Sequence, residues 1–101
     1  MTNVSTGIAL EIPTGFVGSI RDRSGLAANS SLHTLAGVID SNYRGEILVV
    51  IINLSSQNYQ VKVGDRIAQM IIHQVEIVET EEVSELSEAN RGDNRFGSSG
   101  Y

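Results

Sequence analysis

Glu46-Ile-Leu-Val-Val-Ile-Ile-Asn53 sets six consecutive apolar residues between polar bounds. Five of the six branch at Cβ, which suits a pleated surface better than a helix. The run is too short for an ordinary helix, and an apolar residue at every position predicts a strand buried on both faces. On its C-terminal side, residues 54–58 read as a turn. Tyr59-Gln-Val-Lys-Val63 alternates and predicts a half-exposed strand. Gly64-Asp65 is a further turn, and residues 66–78 read as a long β stretch that bends near His73-Gln74. On its N-terminal side, residues 4–12 are rich in β formers and stop at Pro13. Thr14-Gly15 turns the chain, and residues 16–20 form an apolar strand. Residues 23–31 are mostly small and read as a loop with room for one helical turn at 24–29. The acidic residues 79–89 read as a loop or a short helical turn. Strands recurring every ~8–12 residues predict an all-β sandwich or barrel.

A chain of 101 residues makes one domain, near the lower end of what builds its own core. A hydrophobic content of 41% is ordinary for a globular protein. The net charge of −5 gives the surface no general attraction for nucleic acid. Six of the twelve carboxylates (Glu76, Glu79, Glu81, Glu82, Glu85 and Glu88) fall within residues 76–88. Six arginines outnumber the single Lys62. Arginine suits bidentate contact with phosphate or carboxylate, although it also simply solvates surfaces. With no cysteine there is no disulfide frame and no thiolate metal site. His33 and His73 stand forty residues apart, which argues against a histidine metal centre. No apolar run approaches the ~20 residues of a membrane span, and no signal-peptide pattern opens the chain. The expectation is a soluble protein, cytoplasmic or otherwise intracellular, with no membrane partner. Residues 91–101 carry three glycines and little apolar content, and are expected to be a flexible tail beyond a domain of residues 1–90.

Function is most legible in Gly37-Val-Ile-Asp-Ser-Asn-Tyr-Arg-Gly-Glu46. Asp40 ends an apolar strand, Ser41-Asn42 turns, and the ring of Tyr43 follows before the long apolar strand. A carboxylate at a buried edge, three residues from an aromatic plate, suits a small polar ligand with a flat face. The same residues also make an ordinary hairpin turn.

Three further segments join this one: Arg23-Ser-Gly-Leu-Ala27, Gly64-Asp-Arg-Ile-Ala-Gln69 and the tail Arg91-Gly-Asp-Asn-Arg-Phe-Gly-Ser-Ser-Gly100. In this order and spacing, the four resemble the trimeric deoxyuridine triphosphatase (dUTPase) family, from about Val4 to Gly100. The resemblance implies a distorted jelly-roll or β-barrel with a C-terminal lid. The family's first motif, Ala-Gly-x-Asp-Leu, normally precedes the segment that begins here at Val4, so the domain is expected to be N-terminally shortened. The family tail usually has a glycine pair where Asn94 and Arg95 stand, and threonine where Ser99 stands. Serine keeps the hydroxyl, and Arg95 adds a charge that could meet phosphate.

The implied activity is hydrolysis of dUTP to dUMP and pyrophosphate, which limits uracil incorporation into DNA and supplies dUMP. By resemblance, Asp40 is the catalytic carboxylate: it orients the attacking water and touches the sugar 3′-hydroxyl. Tyr43 would lie against the deoxyribose and leave no room for a 2′-hydroxyl, with core packing as its ordinary role. The backbone of Val38, Ile39 and the facing strand near Leu48 would bond the uracil edge, and Thr34 sits where the family often places a polar contact to the base. Arg23, Ser24 and Gly25 look like a phosphate cradle, in which a hydroxyl and backbone N–H groups beside glycine admit close approach. Gln69 is similar to the glutamine that meets the phosphate chain. Asp65-Arg66 reads more as a structural or subunit-interface pair. In the tail, Phe96 would stack on uracil. Arg91, Ser98 and Ser99 would meet the γ-phosphate, and Gly97 would give the backbone freedom to close. Magnesium would arrive on the triphosphate, with no protein metal ligands implied. The family pattern also implies a homotrimer whose sites draw on three chains.

The fold is shared with deoxycytidine triphosphate deaminases, whose chemistry needs a glutamate on the strand after the hairpin. Counting from Tyr43-Arg44-Gly45, that position falls at Val50, which cannot move protons. A non-catalytic dUTPase-like chain that binds nucleotide or a protein partner is the alternative, supported by the missing first motif.

Overall fold

The computed structural model describes residues 1–89. Six strands and one short helix follow in the order β1 (Thr2–Ala9), β2 (Phe16–Asp22), α1 (Ser24–Ser30), β3 (Leu32–Thr34), β4 (Val38–Ile39), β5 (Glu46–Asn53) and β6 (Ala68–Gln74). They form two three-stranded sheets, β1-β5-β3 and β4-β2-β6, and every pairing is antiparallel. The fold is all-β, as the strand spacing predicts. The core lies between the sheets, where Leu32, Ile47, Val49 and Ile51 of the first meet Ile20 of the second. No helix among the described residues is long and apolar enough to cross a membrane.

β5 is a strand over the expected residues, but it is not buried on both faces. Ile47, Val49 and Ile51 are buried, while Leu48 is 44% exposed and Val50 and Ile52 are half-buried. Side chains alternate across a strand, and within one chain the second sheet covers only one face of β5. The other face is apolar and open.

The stretch expected as a hairpin, residues 37–46, is instead a passage between sheets. β4 pairs with β2, through Gly18↔Ile39 and Ser19↔Val38, whereas β5 pairs with β1 and β3. The arm that faces β5 is β3, which sequence reading missed, with Thr34 opposite Ile51 and the Leu35 N–H donating to the Val50 carbonyl at 2.9 Å. The chain then turns at Ala36, which has a φ of 60°. Leu48 faces Ser5 of β1 rather than Val38 or Ile39.

Other boundaries also differ. Tyr59–Val63 forms no strand: Val61 and Val63 are exposed, and no neighbouring strand takes up the backbone groups of the segment. β6 ends at Gln74, near the expected bend. The helical turn expected at residues 24–29 is a seven-residue helix, Ser24–Ser30, with Arg23 as N-cap and no side-chain cap. Residues 79–89 contain no helix.

Candidate active site

β2 and β6 pair through seven residues, and the last two pairs, Arg21↔Gln69 and Asp22↔Ala68, lead directly into Arg23-Ser24-Gly25. That register explains why segments more than forty residues apart meet. Arg23, Ser24, Gly25 and Gln69 line one open cleft of about 520 Å³, together with Asn29, Ser30 and Arg66. Its side chains are guanidinium, hydroxyl and carboxamide groups, which offer donors to an anion. Asp65-Arg66 was read as a structural or subunit-interface pair; among the described residues no ion pair joins the two. Asp65 instead accepts the Lys62 N–H at 2.8 Å, and Arg66 stands in the cleft with Arg23.

A second pocket, of about 610 Å³, is lined by residues from β2, β3 and the passage to β4, including Asp22, His33, Thr34 and Val38. Thr34 is buried here, but its hydroxyl is committed. It donates to Asp22 Oδ1 at 2.7 Å, and the Thr34 N–H donates to the same oxygen at 2.7 Å. His33 Nδ1 lies 2.6 Å from Asp22 Oδ2. An ionised carboxylate can only accept, so Nδ1 carries the proton. These bonds, that from His33 first and those from Thr34 next, lower the Asp22 pKa from its ordinary 3.8 to about 2. Asp22 and His33 were not singled out as site residues. Their pairing joins positions eleven apart on different elements, and no sequence pattern marks it.

Asp40 and Tyr43 lie in the passage from β4 to β5 and line neither pocket. Asp40 is exposed rather than held at a buried edge, because β4 is only two residues long and ends before it. The Tyr43 N–H donates to the Asp40 carbonyl at 3.1 Å, which closes the turn. The ring of Tyr43 is fixed at both ends of its reach. Its hydroxyl donates to the Glu46 carbonyl at 2.6 Å, and it packs so closely over Gly45 that a Cβ there would lie 2.8 Å from the Tyr43 oxygen. Tyr43 remains 42% exposed. Ile39 is half-buried against the core, and Val38 is exposed. The tail positions Arg91, Phe96, Gly97, Ser98 and Ser99 lie outside the described residues.

The family model for dUTPase matches residues 1–100. The chain belongs to the dUTPase family. It is 52% identical to the deoxyuridine 5′-triphosphate nucleotidohydrolase of Anaplasma marginale, over 96% of this chain and 67% of that one. It is 46% identical to the enzyme of the same name from Paramecium bursaria Chlorella virus 1, over 96% of this chain and 69% of that one. Among solved structures, a dUTPase variant of Staphylococcus bacteriophage 80alpha with dUpNHpp matches with a TM-score of 0.82 and 26% identity, over 99% of this chain and 76% of that one. A dUTPase variant from phage phi11 of S. aureus, described with a structural Mg(II) ion, matches with a TM-score of 0.73 and 26% identity, over 83% of this chain and 72% of that one. The jelly-roll fold of dUTPases is thus the fold of this chain.

Seen as a dUTPase, the Arg23 cleft has the chemistry of a phosphate site. It lacks that of a metal cage. No carboxylate lines it, and no group of three or more His, Cys, Asp or Glu side chains converges among the described residues. A hard dication needs anionic oxygens, so these residues fit magnesium only as an ion carried by a bound phosphate chain.

Proposed function

We infer that this chain hydrolyses dUTP to dUMP and pyrophosphate. One observation carries the reading: Arg23, Ser24, Gly25 and Gln69, the expected phosphate ligands from two distant segments, line a single cleft with Arg66. Two guanidinium groups and several neutral donors are opposite in charge to a triphosphate and offer donors to its acceptor oxygens. Membership of the dUTPase family, the relatives' name and the dUpNHpp of a structural neighbour support the choice of nucleotide.

In this reading Asp40 accepts a proton from the attacking water while the bond between the α- and β-phosphates breaks and pyrophosphate leaves. Arg23, Arg66, Ser24 and Gln69 balance the charge that develops on the phosphate oxygens. A magnesium ion carried in on the triphosphate, with no described side chain to hold it, would supply further positive charge to that balance. Tyr43 excludes a 2′-hydroxyl by occupying its space. Tail residues Phe96, Arg91, Gly97, Ser98 and Ser99 close over base and γ-phosphate.

The working unit is a homotrimer with sites built between copies. Asp40 and Tyr43 stand apart from the Arg23 cleft within one chain, and the exposed apolar residues Val38, Leu48, Ile71 and Ile72 offer surface for association. Product analysis tests the chemistry. The expected products from dUTP are dUMP and pyrophosphate; dUDP and orthophosphate would contradict the assigned bond.

A further inference from the structure

We propose that Glu46 is a positioning residue: its carboxylate, anchored on β1, fixes where the Tyr43 ring lies and so sets the discrimination against a 2′-hydroxyl. The proposal rests on the reading of Tyr43 given above. Glu46 opens β5, three residues after Tyr43. The Tyr43 hydroxyl donates to the Glu46 carbonyl at 2.6 Å. Tyr43 is exposed and takes no part in the buried cluster, so the core does not seat its ring. The ring takes its place from the Glu46 backbone at one end and from Gly45 beneath it. Whatever holds the Glu46 backbone therefore holds the ring.

That hold comes from a bulge in β1. The pairs Ser5↔Leu48 and Ala9↔Glu46 bracket it: β1 has residues 6–8 between them, where β5 has only Ile47. A bulge interrupts the regular ladder and re-aims the groups around it. Here the freed donors turn to the start of β5. Gly7, at a φ of 70°, takes a left-handed conformation that suits glycine. Its N–H donates to Glu46 Oε2 at 2.9 Å, and the Ser5 hydroxyl donates to the same oxygen. Two donors on one carboxylate oxygen favour the charged form, in keeping with the lowered pKa of Glu46. The Thr6 hydroxyl donates to the Ile47 carbonyl at 2.6 Å and accepts the Ile8 N–H at 3.1 Å, so the bulge also grips the next residue of β5. Without the carboxylate, the end of β5 that carries the Tyr43 acceptor loses its side-chain tie to β1. A displacement of ~1 Å within a site is enough to cost a large part of its function.

The test measures kcat/KM for dUTP and for UTP in the wild-type chain, Glu46→Ala, Glu46→Gln, Tyr43→Ala and the double variant Glu46→Ala/Tyr43→Ala. Glu46→Ala keeps the backbone carbonyl and removes only the anchor. A positioning role predicts that its dUTP/UTP ratio falls at least about threefold. Glu46→Gln should restore the ratio to within about twofold, because an amide oxygen accepts the same two hydrogen bonds. In the Tyr43→Ala background, adding Glu46→Ala should change the ratio by less than about twofold, since the residue acts through the ring. A merely structural role would lower both constants by one factor and leave the ratio unchanged. That result, a glutamine that does not rescue, or full additivity in the double variant would overturn the proposal. If Glu46→Ala does not fold, Ser5→Ala, which removes one of the two donors, takes its place and is predicted to show the same selective loss to a smaller degree. A ratio unchanged by Tyr43→Ala would refute the reading of Tyr43 and the proposal with it, whereas a ratio unchanged by Glu46→Ala alone would refute the proposal and leave that reading standing.

Discussion

At Asp22 and Glu46 the fold sets carboxylates where neighbouring donors favour the charged form. The hydroxyl of Ser5 and the N–H of Gly7 lower the Glu46 pKa, and His33 and Thr34 lower that of Asp22 to about 2. On acidification, the unfolded chain takes up a proton at Asp22 near its ordinary value of 3.8, before the native chain does. The stability this group adds is therefore complete above that value and lost as pH falls toward 2. Thermal unfolding of wild type and Asp22→Asn should differ most at about pH 5 and above, the difference shrinking below about 3.8 and vanishing only below about 2. A difference that grows on acidification would contradict the assignment. The proposed function gives Asp40 a different task. Asp40→Asn should bind dUTP but lose at least ~10²-fold in kcat, read by pyrophosphate release. Gly45→Ala forces the Tyr43 ring from its seat, since the new Cβ would lie 2.9 Å from Cζ. The discrimination between dUTP and UTP should fall by about tenfold in kcat/KM. Asp40 and Tyr43 could be singled out because they sit in one contiguous motif. Asp22 was not, because its partners reach it only through the β3–β2 approach.

Single elements separate what pattern can fix from what packing decides. β5 was legible to the residue because six apolar positions leave little else. Its expected two-sided burial did not hold, since the second sheet covers only one face of β5. The alternation at Tyr59–Val63 looks like a strand, yet a strand needs a neighbour and none of the described strands pairs with it. β3 escaped notice because three residues carry no periodicity, and α1 was expected only as one helical turn in a loop because Gly25, Asn29 and Ser30 are weak helix formers. The inward face of β5 holds the two sheets together. Ile47→Ala should cost about 3 kcal/mol in denaturant unfolding, because Ile47 is among the most buried residues of the core. An unchanged midpoint would show that the core is not centred there.

Taken whole, the molecule opens the Arg23 cleft at one end of the β2–β6 pairing and carries Asp40 and Tyr43 elsewhere, in the passage to β5. The residue types of that cleft were readable, but their assembly required the β2–β6 register that only the fold supplies. Removing residues 91–101 should lower turnover of dUTP by about tenfold or more while leaving the oligomeric state unchanged in light scattering. Loss of the assembly would assign the tail a structural role instead. The most direct measurement is pyrophosphate release with magnesium from dUTP, beside UTP, dTTP and dCTP. Release from dUTP alone is the predicted result, and no release from dUTP, or equal release from all four, would contradict it.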